Sequence, residues 1–345
     1  MIARYSLSAD YAISAIIKGG WHLAGGHGAV DPDQALRDMA LFVDSGITTF
    51  DCADIYTGVE LLIGQFRQQY PQHAKHLQIH TKFVPDLSHL RAVDARYVAN
   101  GIERSLTRLG QERLDLVQFH WWDFAVPGYI ETALELDRLR QAGKIAHIGV
   151  TNFGTAHLEQ LVAAGIPITS HQVQYSLLDD RPNHGMVDYC RSRNIALLCY
   201  GTVAGGFLSE RWLRRDAQSI DFANRSLTKY KLIIDDFGGW ELFQELLSLL
   251  ARIAAEHRAD IASVATRAIL DRPQVAAAIV GAVNASHLAA HAHIDAITLS
   301  DEELTSIASI TDRRRGPAGD IYELERDRTG PHGRIMKYEL NAVPS

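Results

Sequence analysis

A closed (β/α)8 barrel is the fold this sequence predicts, and three observations carry the prediction. Eight short runs rich in Val, Ile and Leu recur along the chain, apolar on both faces, as strands buried in a parallel sheet are. Amphipathic helical patterns lie between them, so strand and helix alternate. Crossovers of this kind are right-handed and build a parallel sheet, and eight strands is the number that closes it. A length of 345 residues suits the fold, which often runs past about 250 residues as one unit. One domain is therefore expected over 1–345, with the barrel at about 13–310 and a carboxyl-terminal tail at 311–345.

In chain order, residues 4–14 read as an amino-terminal hairpin cap. Ile13-Ser-Ala-Ile-Ile-Lys18 reads as the first barrel strand, leading into a glycine-rich loop from Gly19 to Gly26. Asp31 is an N-cap candidate with Pro32 in the first turn, and the helix it opens carries Leu36, Met39, Ala40 and Val43 on one face and stops before Gly46. The remaining strands are expected at 47–51, 77–83, 114–119, 145–150, 168–174, 195–200 and 276–281. Between them lie helices such as Asp94 to Leu109, with Val98, Ile102, Leu106 and Leu109 in register, and Thr155 to Ala164, ending at Gly165.

Two segments exceed what a barrel needs. Residues 202–238 form a long loop after the seventh strand, with Gly205, Gly206, Gly238 and Gly239 bracketing a basic stretch. Loops at the carboxyl ends of barrel strands build the site, so this one reads as a cofactor lid. The other is the tail from Thr311, after a helix opened by the Ser300 and Glu303 capping box.

Composition narrows the function. A net charge of -7 argues against a nucleic-acid partner. No apolar run approaches the roughly 18 residues a membrane span needs, and the amino terminus lacks the unbroken apolar core of a secretion signal. Cys52, Cys190 and Cys199 show no paired spacing, which suggests a reducing, cytoplasmic location.

The chemistry gathers at strand ends. Asp51, Lys82 and His120 close three successive strands and would converge at one mouth, with Tyr56 on the loop above Asp51. A nearby ammonium stabilises tyrosinate, so Lys82 would lower the phenol pKa while Asp51 holds Lys82 in place. Tyr56 would then serve as general acid toward a carbonyl and as general base in reverse, with His120 donating a hydrogen bond to the carbonyl oxygen.

Asp51-Cys-Ala-Asp-Ile-Tyr56, followed by Glu60-Leu-Leu-Ile-Gly64, resembles the signature of the aldo/keto reductases. Lys82 and His120 fall where that family keeps the rest of its catalytic tetrad. Gly149-Val-Thr-Asn-Phe153 and His171-Gln172 resemble its nicotinamide-carboxamide contacts, which assigns that role to Thr151, Asn152 and Gln172. Tyr200, followed by Gly201, stands where the family stacks an aromatic on the nicotinamide ring. Gly281-Ala282 opens the segment that holds the adenosine phosphate, placing Val283, His287 and His291 among the cofactor contacts. The resemblance covers about residues 10–310 and implies metal-free hydride transfer between a nicotinamide cofactor and a carbonyl or alcohol.

The family commonly has arginine at the position of Val283 or His287, where its planar fork grips a phosphate. Without it, NADP(H) remains first choice on the family's habit, with NAD(H) second. His287, His291 and His293 have no Cys or acidic partner at a matching spacing, so no metal is expected. Trp21, His22, Trp121 and Trp122, with the tail near Tyr322, are candidate substrate contacts, and a flat apolar wall suits a sugar or sugar-like carbonyl. The substrate is thus a small carbonyl or alcohol, with no membrane or nucleic-acid partner, and oligomeric state is left open. An NAD-linked sugar dehydrogenase working oxidatively and a cofactor-sensing regulatory subunit are the alternative readings.

Overall fold

The computed structural model describes residues 2–25, 28, 30–222 and 224–341. Gly26, the expected end of the glycine-rich loop, and residues 342–345 of the tail lie outside the described residues.

Eight parallel strands close into a barrel: β3 (Ile16–Gly19), β4 (Thr49–Asp51), β5 (Gln78–Phe83), β6 (Leu114–Phe119), β7 (Ile145–Thr151), β8 (Ile168–Gln174), β9 (Ala196–Tyr200) and β10 (Val275–Gly281). Closure comes from β10, which pairs with β9 through Ala278↔Cys199 and with β3 through Ile279↔Ile17. An antiparallel hairpin, β1 (Arg4–Ser8) and β2 (Tyr11–Ser14), precedes the barrel. Its Leu7 and Ile13 pack with Ile17, Leu116, Leu198 and Ala277, so the hairpin fills one end of the barrel interior with apolar side chains. Ile13 therefore belongs to the hairpin, and the first barrel strand begins only at Ile16. Ser14 makes the break, because its Oγ donates to the Ile16 carbonyl while its N–H donates to Thr49 Oγ1.

The helices form as their caps dictate. The Asp31 carboxylate accepts from the N–H groups of Asp33 and Gln34 and opens the helix Pro32–Asp44, burying Leu36, Met39 and Val43. Asp94 caps Ala95–Leu109 by accepting from the Tyr97 N–H. Ser300 and Glu303 form both halves of the capping box on Asp301–Thr311. No helix among the described residues is long and apolar enough to cross a membrane.

The segment 202–238 departs from a simple loop. Asn224 accepts from the Leu227 N–H and starts a helix, Arg225–Phe237, which buries Leu227, Tyr230, Ile233, Ile234 and Phe237 on one face. The tail is packed as well, through short helices at Glu323–Arg326 and Pro331–Arg334. Both segments end up over the carboxyl ends of the strands, where they line a cavity.

The loop carrying Tyr56 is anchored by the helix that follows it, Val59–Gln69, which packs on Ala95–Leu109. Gly64 permits that approach, since a methyl group there would overlap the backbone carbonyl of Arg108. Gly64→Ala is expected to destabilise the protein by about 1–3 kcal/mol in urea denaturation, as overpacking against backbone does.

Candidate active site

The barrel geometry brings one side chain from each of several strand ends to a common centre. Asp51 ends β4, Lys82 lies near the end of β5, Gln118 sits in β6 two residues before His120, and Gln172 lies in β8. Alternation along β6 points Gln118 and His120 the same way. Lys82 Nζ donates to Asp51 Oδ2 at 2.6 Å and to the Cys52 carbonyl at 2.9 Å. Asp51 Oδ1 accepts from the amides of Gln118 at 2.9 Å and Gln172 at 2.7 Å. Gln172 also donates to Gln118 Oε1 at 2.9 Å, which locks the two amides together. Each oxygen of the buried carboxylate is thus satisfied, as a charge away from water requires.

Tyr56 lies over this pair, its ring centroid 4.8 Å from Lys82 Nζ and 5.1 Å from the ring of Trp21. Burial works first against the Lys82 ammonium, but the Asp51 carboxylate together with Tyr56 and Cys52 outweighs it and holds that ammonium above its ordinary pKa. For the phenol, burial wins. Tyr56 stands above its ordinary value although Lys82 pulls it down, so the lowering read from the sequence is a partial compensation here.

His120 departs from its expected role in a more specific way. Its Nδ1 lies 3.0 Å from the Thr151 carbonyl, which can only accept, so Nδ1 carries the proton. Burial first, and then the positive charges of Arg326 and Lys82, push the imidazole down to about 3. A neutral His120 therefore presents Nε2 as an acceptor, and Nε2 has no partner among the described residues.

Asp51, Tyr56, Lys82, His120, Thr151, Asn152, Gln172, Tyr200, Gly201 and Gly281 line one cavity together with Trp21, His22 and Trp122. Asn152 adopts a left-handed conformation with φ of 60°, and its side-chain oxygen accepts from the Tyr200 hydroxyl at 2.9 Å. Gly201, at φ 74°, leaves the space beside Tyr230 that a β-carbon would take.

Trp121 does not join them. It is fully buried, donates through Nε1 to the Val126 carbonyl at 3.0 Å, and packs on Phe119. The alternation that turns His120 and Trp122 to the cavity turns Trp121 away. Ala282, Val283, His287 and His291 also lie outside the cavity lining. Val283 is 41% exposed, and His291 instead faces Phe42, where burial first pushes its pKa down to about 4.

The tail and the 225–237 helix contribute further residues to the wall. Arg326 Nη2 donates to the carbonyls of Trp121 at 2.9 Å and Asn152 at 2.8 Å, tying the tail to two strand ends. Lys229 lines the cavity and lies 5.1 Å from the Tyr200 ring centroid. Behind it, fully buried Arg181 bridges Asp179 at 2.7 Å and Glu325 at 3.0 Å. Burial acts to raise the Glu325 carboxyl, but Arg181 and Lys229 hold it at about 2. The two-residue spacing of Gln118 and His120 was the one signal that could have found Gln118; the tail contacts have no local signal.

The family model of the aldo/keto reductase family matches residues 15–312. Aldo-keto reductase YhdN of Bacillus subtilis is 27% identical over 318 residues, covering 89% of this chain and 93% of that protein. The L-glyceraldehyde 3-phosphate reductase of Escherichia coli O157:H7 is 26% identical, covering 88% and 90% respectively. Among solved structures, a glycerol dehydrogenase from Gluconobacter oxydans superposes with a TM-score of 0.75 at 23% identity, covering 92% of this chain and 97% of that one, a likeness of fold. The matched span takes in every strand of the barrel from β3 to β10, and the chain belongs to the aldo/keto reductase family of NAD(P)H-dependent oxidoreductases.

Proposed function

We propose that this protein reduces an aldehyde or ketone to an alcohol with Tyr56 as the general acid, and that a sugar-like carbonyl is the class of substrate to test first. The observation that supports this most is the buried Asp51–Lys82 pair beneath the Tyr56 ring. NADPH, or in second place NADH, supplies the hydride when bound. Tyr56 gives its phenolic proton to the carbonyl oxygen, and Lys82, kept charged by Asp51, stabilises the phenolate left behind.

The cavity fits such a cofactor in its donor set. Thr151, Asn152 and Gln172 offer the hydrogen-bonding groups that a carboxamide needs, beside the flat face of Tyr200. Gly201 and Gly281 keep the wall free of β-carbons on that side, where a methyl at Gly281 would overlap His22. NADP(H) is first choice on the family's habit, and NAD(H) stands second because no arginine occupies position 283 or 287. A relative of similar length is named for reducing L-glyceraldehyde 3-phosphate, which agrees with a sugar-like carbonyl.

Titration with NADPH and NADH, followed by tryptophan fluorescence, tests the reading: binding below millimolar is expected for at least one, and its absence for both defeats it. Tyr56→Phe is expected to lower turnover by about 10² to 10⁴ while the cofactor still binds, because only the transferable proton is lost. Parallel loss of binding would make Tyr56 structural.

Lys82→Met bears on the pH profile. Alcohol oxidation requires the phenolate, so its rate rises with pH through the phenol pKa. Removing the ammonium that pulls this pKa down moves the rising limb to higher pH. A limb that stays in place would show that Lys82 does not act on Tyr56.

A further inference from the structure

The end of the tail runs along the segment that follows β5. The Leu87 N–H donates to the Tyr338 carbonyl at 3.1 Å. Asp86 Oδ1 accepts from the Leu340 N–H at 2.9 Å, the Asn341 N–H at 3.0 Å and the Asn341 side-chain amide at 3.3 Å. Between these contacts Glu339 turns its carboxylate to Ser88, where Oε1 accepts from the N–H at 2.9 Å and Oε2 from the hydroxyl at 2.8 Å. The same hydroxyl lies 3.1 Å from Nδ1 of His89.

This arrangement gathers an imidazole and two carboxylates. Asp86, His89 and Glu339 each offer one ligand atom, and the three atoms lie within 4.8 Å of one another. Two carboxylates this close repel, yet neither has an ion pair with a lysine or arginine among the described residues. A separate observation concerns Asp86, which is 3% exposed. While Oδ1 takes three donors, Oδ2 accepts no hydrogen bond among the described residues, a costly state for a buried carboxylate. A cation held by the three groups removes both the repulsion and the bare oxygen. His89 and Glu339 are exposed, so the cluster opens to solvent and an ion reaches it.

The donor set selects the cation. Calcium and magnesium are held by oxygen atoms, whereas zinc accepts imidazole and carboxylate together. Zinc bonds of about 2.0–2.2 Å require the ligand atoms to draw in by about 1 Å, a movement open to exposed side chains such as His89 and Glu339. Ser88, bonded to Glu339 and beside the His89 ring, orients both ligands from behind.

We propose that Asp86, His89 and Glu339 bind a zinc ion that fastens the tail to the barrel. None of the three lines the cavity, so the ion takes no part in hydride transfer, and the site does not depend on the role of Tyr56. Its neighbours Val84, Met336, Lys337 and Leu340 do line the cavity, so the ion steadies that part of the wall.

The test titrates the full-length protein, stripped with EDTA, with zinc chloride in a calorimeter, and follows tryptic cleavage at exposed Lys337 with and without zinc. Wild type is expected to bind a zinc ion that His89→Ala fails to bind, and Ser88→Ala is expected to weaken that binding at least about tenfold, as loss of an orienting partner does. Zinc is expected to slow cleavage at Lys337 in wild type and to leave it unchanged in His89→Ala. Absence of zinc binding, a His89→Ala titration that matches wild type because other histidines take the ion, or wild-type cleavage that zinc does not slow overturns the proposal. Should the variants fail to fold, protection of wild-type Lys337 by zinc decides alone.

Discussion

Burying the Lys82 ammonium against the Asp51 carboxylate is the constraint on which the rest of the site depends. Both side chains are almost fully enclosed, and the attraction of such a pair repays its desolvation only when every remaining polar atom is also bonded. The barrel meets that condition with parts from four strands: the Cys52 carbonyl next to Asp51, the amides of Gln118 and Gln172, and the register that brings Lys82 beside Gln118. Removing one partner would leave a bare charge in the interior, at a cost of about 3–5 kcal/mol. Satisfying these atoms therefore fixes Lys82 in the one position from which it acts on Tyr56.

A second buried charge network serves a different end. Arg181, Asp179 and Glu325 join the loop after β8 to the tail, and Lys229 brings in the helix 225–237. Arg326 then fastens the tail to the backbone beside His120 and at Asn152. Asn152 needs such support, because a left-handed backbone is uncommon outside glycine. The tail thus works as part of the wall, and the site is complete only when residues from both ends of the chain have folded onto it.

Much of this was legible in the sequence. Parallel strands covered by helices are apolar on both faces, so the barrel strands announced themselves, and residues at their carboxyl ends followed from the direction of the strands. Asp51, Tyr56, Lys82 and His120 met where that reasoning put them. The helix 225–237 was hidden because Arg225, Lys229 and Lys231 read as a basic loop, although Leu227, Tyr230, Ile234 and Phe237 keep a helical period. Trp121 and Trp122 could have been told apart by carrying the β6 alternation three residues past Phe119. The proton position on His120 was beyond local reading, since it is set by the carbonyl of a residue 31 positions away. Val283 and His287 are equally silent, because exposed side chains are not constrained by packing.

The charges left over after pairing explain what the cavity favours. Asp51 is spent on Lys82, and Asp179 and Glu325 on Arg181. Among the described residues Arg326 donates only to carbonyl oxygens, and burial pushes its pKa down to about 10. Lys229 likewise stands below its ordinary value through burial, with Glu325 at 3.9 Å pulling the other way. Such surroundings stabilise negative charge on a bound oxygen and oppose a positive one on His120. A neutral imidazole and a site that welcomes an oxyanion are therefore two results of one charge distribution, and the proposed role of Tyr56 as proton donor agrees with a His120 whose Nε2 carries no proton.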